Sequence, residues 1–85
     1  MNNYMKTETI LYLIDNETID TIELKTQTSS IKLSIGLIDV VDKKDYILID
    51  SYGIRPVQCE IQIYHNNIIS MELKDSTLTI NLTKL

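Results

Sequence analysis

The sequence has no alanine, tryptophan or phenylalanine, and its 85 residues include one cysteine, one proline and two glycines. With Cys59 as the only cysteine, no disulfide can form within the chain, which excludes a small secreted domain held together by disulfides. Two widely separated glycines exclude a glycine-rich phosphate loop. No apolar stretch suits a signal peptide or a membrane span. We therefore expect a cytoplasmic protein with no membrane association.

Branched aliphatic residues and threonine dominate what is present, with fifteen Ile, ten Leu and nine Thr. β-Branched residues favour strands, and the absence of alanine removes the strongest helix former. A chain of this length suffices for one domain with one core. The sequence therefore predicts a single all-β domain over residues 1–85. We expect an antiparallel sandwich or a small, partly open barrel of six to seven strands.

The chain is mildly acidic, with a formal charge of −4 and a pI of about 4.7. Nonspecific nucleic-acid binding depends on Lys and Arg that displace counterions, so this charge argues against a nucleic-acid partner. It suits docking to a basic surface, but mild acidity is also ordinary for soluble domains. Heavy use of Ile, Asn, Lys and Asp without alanine is typical of AT-rich coding sequence, which favours a low-GC bacterium, a phage or a large DNA virus as the source.

The first third of the chain contains two predicted strands. Thr7–Ile14 ends in five consecutive apolar residues, which predicts a central strand covered on both faces. Thr18–Thr26 places Ile22 and Leu24 on one face and charged residues on the other, which predicts a half-exposed strand.

The middle of the chain begins with another alternating run. Its predicted inward residues are Ile31, Leu33, Ile35 and Leu37. Gly36, on the outward side, indicates a β-bulge or a close backbone approach. Asp39–Asp45 is assigned as a turn, although Val40–Val41 could also extend the preceding strand. Tyr46–Asp50 predicts a short apolar strand.

The last third alternates most regularly and predicts a three-stranded antiparallel meander. Its strands are joined by turn-type pairs at Asn66–Asn67 and Asp75–Ser76, since Asn tolerates the left-handed conformation of tight turns. Val57–Tyr64 forms the first strand. The predicted inward residues of the three strands are Val57, Cys59, Ile61 and Ile63, then Ile69, Met71 and Leu73, then Leu78, Ile80 and Leu82.

The predicted interaction site centres on the loop Ser51–Pro56, which holds the only proline and the only arginine. Arg presents a planar fork of donors and Tyr a rigid amphipathic ring, and both are enriched at interface hot spots. Tyr52, Arg55 and Tyr64 are therefore the predicted anchors. The competing interpretation is a plain hairpin connection in which Arg55 makes an internal ion pair.

The outward face of the meander is the second candidate, because it carries few charges. Uncharged strands at a sheet edge can pair with another chain. An ordinary solvated sheet face is the alternative. The residues concerned are Gln58, Gln62, Thr77, Thr79, Asn81 and Thr83.

No catalytic residue, cofactor or metal site is predicted. His65 lies at a predicted hairpin tip without a recognisable partner, so a solvated turn residue is the favoured interpretation. Cys59 alternates in phase with apolar residues, which favours a buried small hydrophobe over a nucleophile. Asp39, Asp42 and Asp45 lack the ligand spacing of a calcium loop.

These absences predict a protein-interaction module without enzymatic activity, which covers a partner surface or assembles with itself as a homo-oligomer. A phage- or virus-encoded inhibitor of a host-defence protein is one concrete form. Two alternatives stay open. One is an oligomer that binds a nucleotide-like small anion through Arg55 and the lysines, and the other is a structural subunit of a virion or similar assembly.

Overall fold

A computed structural model describes residues 6–51 and 59–84 of the chain. In these ranges the chain is mostly strand, which confirms the predicted fold class, with one helix in addition. The elements are α1 (Lys6–Asn16), β1 (Thr21–Lys25), β2 (Ser30–Ser34), β3 (Ile38–Asp42), β4 (Tyr46–Ser51), β5 (Cys59–Tyr64), β6 (Ile68–Lys74) and β7 (Thr77–Leu82). Within the same ranges, no helix has the length and apolar character needed to cross a membrane.

The strands form two sheets that are not closed into a barrel. Sheet A has the strand order β2-β1-β7-β6, and sheet B has the order β3-β4-β5. One hydrophobic cluster draws residues from both sheets and from α1. Its buried members are Ile10, Ile19, Ile22, Leu24, Ile38, Ile47, Ile49, Ile63, Ile68, Leu78, Ile80 and Leu82.

The centre of sheet A confirms the alternation that the sequence shows. Ile22 and Leu24 of β1 are fully buried, as are Leu78 and Ile80 of β7. β1 and β7 pair in parallel, with Ile22 opposite Leu78 and Leu24 opposite Ile80. Sheet A is therefore mixed, because its other two strand pairs are antiparallel.

The strand predicted over Thr7–Ile14 is wrong, because α1 covers this segment. Thr7 and Ile10 are buried and Leu11 and Ile14 half-buried, which is the i, i+3, i+4, i+7 spacing of a helix face. Tyr12, in the middle of the apolar run, is 63% exposed. A short apolar run fits both the two-residue repeat of a strand and the 3.6-residue repeat of a helix. Here tertiary packing selects the helix.

The chain changes sheets at two three-residue 3-10 turns. Ile35–Leu37 leads from β2 in sheet A to β3 in sheet B, and His65–Asn67 leads from β5 back to β6. The predicted extension of the third strand to Leu37 and the predicted hairpin at Asn66–Asn67 are therefore wrong. Gly36 lies in the first turn, and a Cβ there would contact nothing within 4 Å, so no close backbone approach explains it.

A three-stranded antiparallel meander is present, but it consists of β3, β4 and β5 rather than the last three strands. β5 and β6 belong to different sheets, while β6 and β7 form the expected hairpin. The turn predicted over Asp39–Asp45 is wrong in its first part, because β3 extends to Asp42. Val40–Val41 lies in a strand, but this strand is separate from the preceding one, which belongs to sheet A.

β6 contains a bulge that shifts its alternation by one residue. Its register with β7 jumps from Ile68 opposite Leu82 to Ser70 opposite Asn81. Ile68 is consequently buried and Ile69 is 58% exposed, the reverse of the predicted phase. A bulge inserts one unpaired residue and leaves the rest of the strand in phase, so Met71 still lies opposite Ile80.

The predicted turn at Asp75–Ser76 is confirmed between β6 and β7. Both residues have positive φ, 51° for Asp75 and 65° for Ser76. Positive φ at both central positions belongs to the type I′ turn, whose twist matches that of the flanking strands. The turn also contacts the start of β1, because the Ser76 carbonyl accepts hydrogen bonds from the Asp20 N–H at 2.8 Å and from the Thr21 N–H at 3.3 Å.

Candidate functional site

β5 is an edge strand, because in the described part of the chain it pairs only with β4. The other sheet edges carry the protection that native proteins use against unwanted pairing. β6 has its bulge at Ile69, β3 carries Asp39 and Asp42, and β2 carries Lys32. By contrast, residues 61–64 of β5 contain no charge, no proline and no register shift. Glu60 is the one charged residue of β5, and residues 61–64 are the longest uncharged and regular stretch at an edge among the described strands.

A groove of about 330 Å³ runs beside this edge. β5 forms one wall, and β2, at the edge of sheet A, contributes Ile31. The lining residues are Ile31, Glu60, Ile61, Gln62, Tyr64, Asn67 and Lys84. The groove therefore lies where the edges of the two sheets come together.

The groove exists because three strands of sheet B face four strands of sheet A. Ile31 lies opposite Leu24 in the register of sheet A, so both side chains belong to the core-facing side. Leu24 is fully buried, whereas Ile31 is 38% exposed. The edge strand β2 thus lacks the cover that its neighbour β1 receives.

Tyr64 is held in position at the end of β5. It lies directly opposite Tyr46 of β4, and the two ring centroids are 4.9 Å apart with planes tilted by 33°. The Tyr64 hydroxyl donates a hydrogen bond to Oε1 of Gln62 at 3.1 Å. Tyr64 remains 40% exposed, so a preorganised aromatic and amide pair faces the groove from one side of β5.

The structure brings together two of the five predicted interaction residues, Tyr64 and Gln62. Tyr52, Arg55 and Gln58 lie outside the described residues, and so does the side chain of Cys59. Sequence reasoning missed Ile31 and Lys84 as neighbours of β5. Only the alternating pattern of β2 marks Ile31 in the sequence, and nothing there indicates that β2 approaches β5.

The polar residues of β7 do not form a free edge, because β7 lies between β1 and β6. That part of the second predicted surface is therefore wrong. Their side chains bond to neighbouring strands or turns: Thr79 Oγ1 donates to Glu23 at 3.3 Å, and Asn81 Nδ2 donates to Ser70 at 3.0 Å. Strand pairing and these hydrogen bonds leave β7 no unpaired edge for another chain.

His65 was predicted to be a solvated turn residue, but it makes a hydrogen bond within the protein. It is half-buried, and its Nδ1 accepts a hydrogen bond from the Lys6 backbone N–H at 2.8 Å. Asp42 acts locally too, since its Oδ1 accepts a hydrogen bond from the Lys44 N–H at 2.8 Å. Across residues 6–51 and 59–84, no group of three or more His, Cys, Asp or Glu side chains has a geometry that could hold a metal ion.

Comparison of the chain with protein-family models, with curated proteins and with solved structures found no match.

Proposed function

We propose that this protein is a binding module without catalytic chemistry, which takes up an extended segment of a partner protein as an added strand on β5. The observation that supports this function is the uncharged stretch 61–64 at the β5 edge, beside the exposed core-side residue Ile31. A strand added to β5 would give sheet B four strands to match the four of sheet A. Strand addition of this kind is a recurrent mode of peptide recognition.

Two kinds of interaction would hold the added strand. Its backbone would satisfy the outward N–H and C=O groups of β5, which gives affinity without requiring a particular sequence. Its alternate side chains would fall opposite Ile61 and Ile63 and would cover Ile31, and burial of apolar surface contributes about 25 cal/mol per Å². On the other face, Gln62 and Tyr64 would be the neighbours of the bound segment.

A second copy of this chain fits the same edge less well than an isolated segment. Its β5 would arrive with its own β2 alongside, because β2 and β5 line one groove. The β2 of the second copy would enter the groove that Ile31 of the first copy already lines, so the two β2 strands would compete for the same space. A single extended segment avoids this conflict.

We place this activity in the cytoplasm, and a phage or viral protein that captures a segment of a host protein is one form it would take. The single cysteine supports a reducing compartment, since it provides no intrachain disulfide. Fractionation of cells that express the tagged chain checks the compartment. Recovery in the membrane or secreted fraction would contradict this assignment.

The neutral peptide acetyl-Gly-Thr-Val-Thr-Val-Gly-amide is a suitable probe, because it has strand-type alternation and no charge. We expect amide chemical-shift changes and slower hydrogen exchange at residues 60–64, with side-chain changes at Ile31. Two N-methylated versions of the peptide test whether it pairs with β5 through backbone hydrogen bonds. In each version every second backbone N–H is replaced by N–CH₃, and the two versions differ in which set is replaced. One of them should lose at least about tenfold in affinity, because only one set of N–H groups faces β5.

Matched variants test the location. Ile31→Asp should weaken peptide binding, whereas Ile69→Asp, at an exposed isoleucine of β6, should leave binding unchanged. Peptide contacts that map to β6, or binding that is insensitive to both N-methylation patterns, would refute strand addition at β5.

A further inference from the structure

The two ends of the β5 groove carry opposite charges. Glu60 lies near the start of β5, and Tyr64, four residues later, is about 13 Å away at about 3.3 Å per residue. Lys84 lies at the Tyr64 end, because its neighbour Thr83 donates its N–H to the Asn67 carbonyl at 2.8 Å. Asn67 closes the 3-10 turn that follows β5.

The register of sheet B shows which residue of an added strand would lie beside Glu60. Asp39 of β3, Asp50 of β4 and Glu60 of β5 lie directly opposite one another in one row across the sheet. A strand added to β5 would place its next side chain at the end of this row, beside Glu60. Opposite charges in cross-strand pairs are stabilising and like charges destabilising, so this position favours Lys or Arg and disfavours Asp or Glu.

The existing pairs of sheet B also indicate a direction. β3 with β4 and β4 with β5 are both antiparallel. Antiparallel pairing is slightly more stable per residue than parallel pairing. A segment antiparallel to β5 begins at the Lys84 end and finishes at the Glu60 end.

We propose that the groove selects both the charge pattern and the direction of the segment it binds. The segment lies antiparallel to β5, with an acidic residue near its N-terminal end beside Lys84 and a basic residue near its C-terminal end opposite Glu60. Apolar residues occupy the positions opposite Ile61 and Ile63. This inference rests on the proposed function and adds the chemistry of the partner.

Two peptides of identical composition test it. Acetyl-Glu-Thr-Val-Thr-Val-Lys-amide has the proposed order of charges, and acetyl-Lys-Thr-Val-Thr-Val-Glu-amide has the reverse. In titrations followed by the amide signals of residues 60–64, the first should bind about fivefold more tightly, since each exposed charge pair contributes modestly. The preference should decrease at high salt, because mobile ions screen exposed charges.

The variant that combines Glu60→Lys with Lys84→Glu provides the matched control. Both residues are exposed, so the fold should persist, and circular dichroism checks this. In this variant the reversed peptide should bind more tightly.

The outcomes separate the two proposals. Equal affinity of the peptides with protection of β5 amides would overturn the charge selection while strand addition stands. Tighter binding of the reversed peptide to the unmodified protein would overturn the antiparallel assignment. If neither peptide binds, the proposed function fails as well.

Discussion

The backbone N–H of Lys6 donates a hydrogen bond to Nδ1 of His65 at 2.8 Å, across 59 positions of the sequence. The Lys6 ammonium group donates a second hydrogen bond to the Ile68 carbonyl at 2.9 Å. N–H groups in the first turn of a helix have no acceptor within the helix, so an external acceptor satisfies one of them. Together these contacts attach the start of α1 to the turn between the two sheets and to the first residue of β6.

Replacement of His65 by alanine should therefore destabilise the fold by about 1 kcal/mol, the typical net contribution of one such hydrogen bond. Urea unfolding followed by circular dichroism at 222 nm measures the change. Asn66→Ala, at an exposed neighbour in the same turn, is the control and should change stability by less than about 0.5 kcal/mol. Equal effects of the two substitutions would show that the contact with Lys6 contributes nothing.

The bulge in β6 predicts unequal effects for two adjacent isoleucines. Ile68 is 2% exposed, so Ile68→Ala should cost about 2 to 5 kcal/mol through lost burial and the resulting cavity. Ile69 is 58% exposed, and Ile69→Ala should cost less than about 0.5 kcal/mol. Denaturant unfolding of both variants under the same conditions compares them directly. The opposite order would mean that β6 follows the uninterrupted alternation.

The type I′ turn predicts a stabilising substitution. Asp75 and Ser76 both have positive φ, which Asn and Gly adopt at lower cost than most residues. The double variant Asp75→Asn with Ser76→Gly should raise the free energy of unfolding by about 1 kcal/mol. Ser76→Val should lower it, since a β-branched residue opposes positive φ. Thermal and urea unfolding give both values, and a loss of stability in the Asn-Gly variant would contradict this turn geometry.

The stacked pair Tyr46 and Tyr64 predicts a difference between two substitutions of Tyr64. Tyr64→Phe keeps the ring contact and removes only the exposed hydrogen bond to Gln62, so stability should change by less than about 0.5 kcal/mol. Tyr64→Ala removes the ring pair and should cost about 1 kcal/mol or more. Near-ultraviolet circular dichroism and urea unfolding report the two effects. Equal stabilities of the two variants would mean that the ring pair contributes nothing.

Only part of the proposed site could be predicted from the sequence. Tyr64 and Gln62 were identifiable, because an alternating strand that follows a distinctive loop marks them as outward-facing. Ile31 was not, since its exposure depends on how many strands the opposite sheet has. The free edge of β5 likewise depends on the assignment of β5 and β6 to different sheets. Strand neighbours in different parts of the chain leave no local signal in the sequence.

The sequence by itself determined the strand-dominated class, the buried face of β1 and β7, and the turn at Asp75–Ser76, because these follow from alternation and backbone preference over a few residues. Tertiary structure alone decided that Thr7–Ile14 is helical, that β1 pairs in parallel with β7, and that the chain crosses between sheets at two 3-10 turns. An alternating pattern shows which side chains share a face. It does not show which strand lies next to them, since that choice depends on the packing of the whole core.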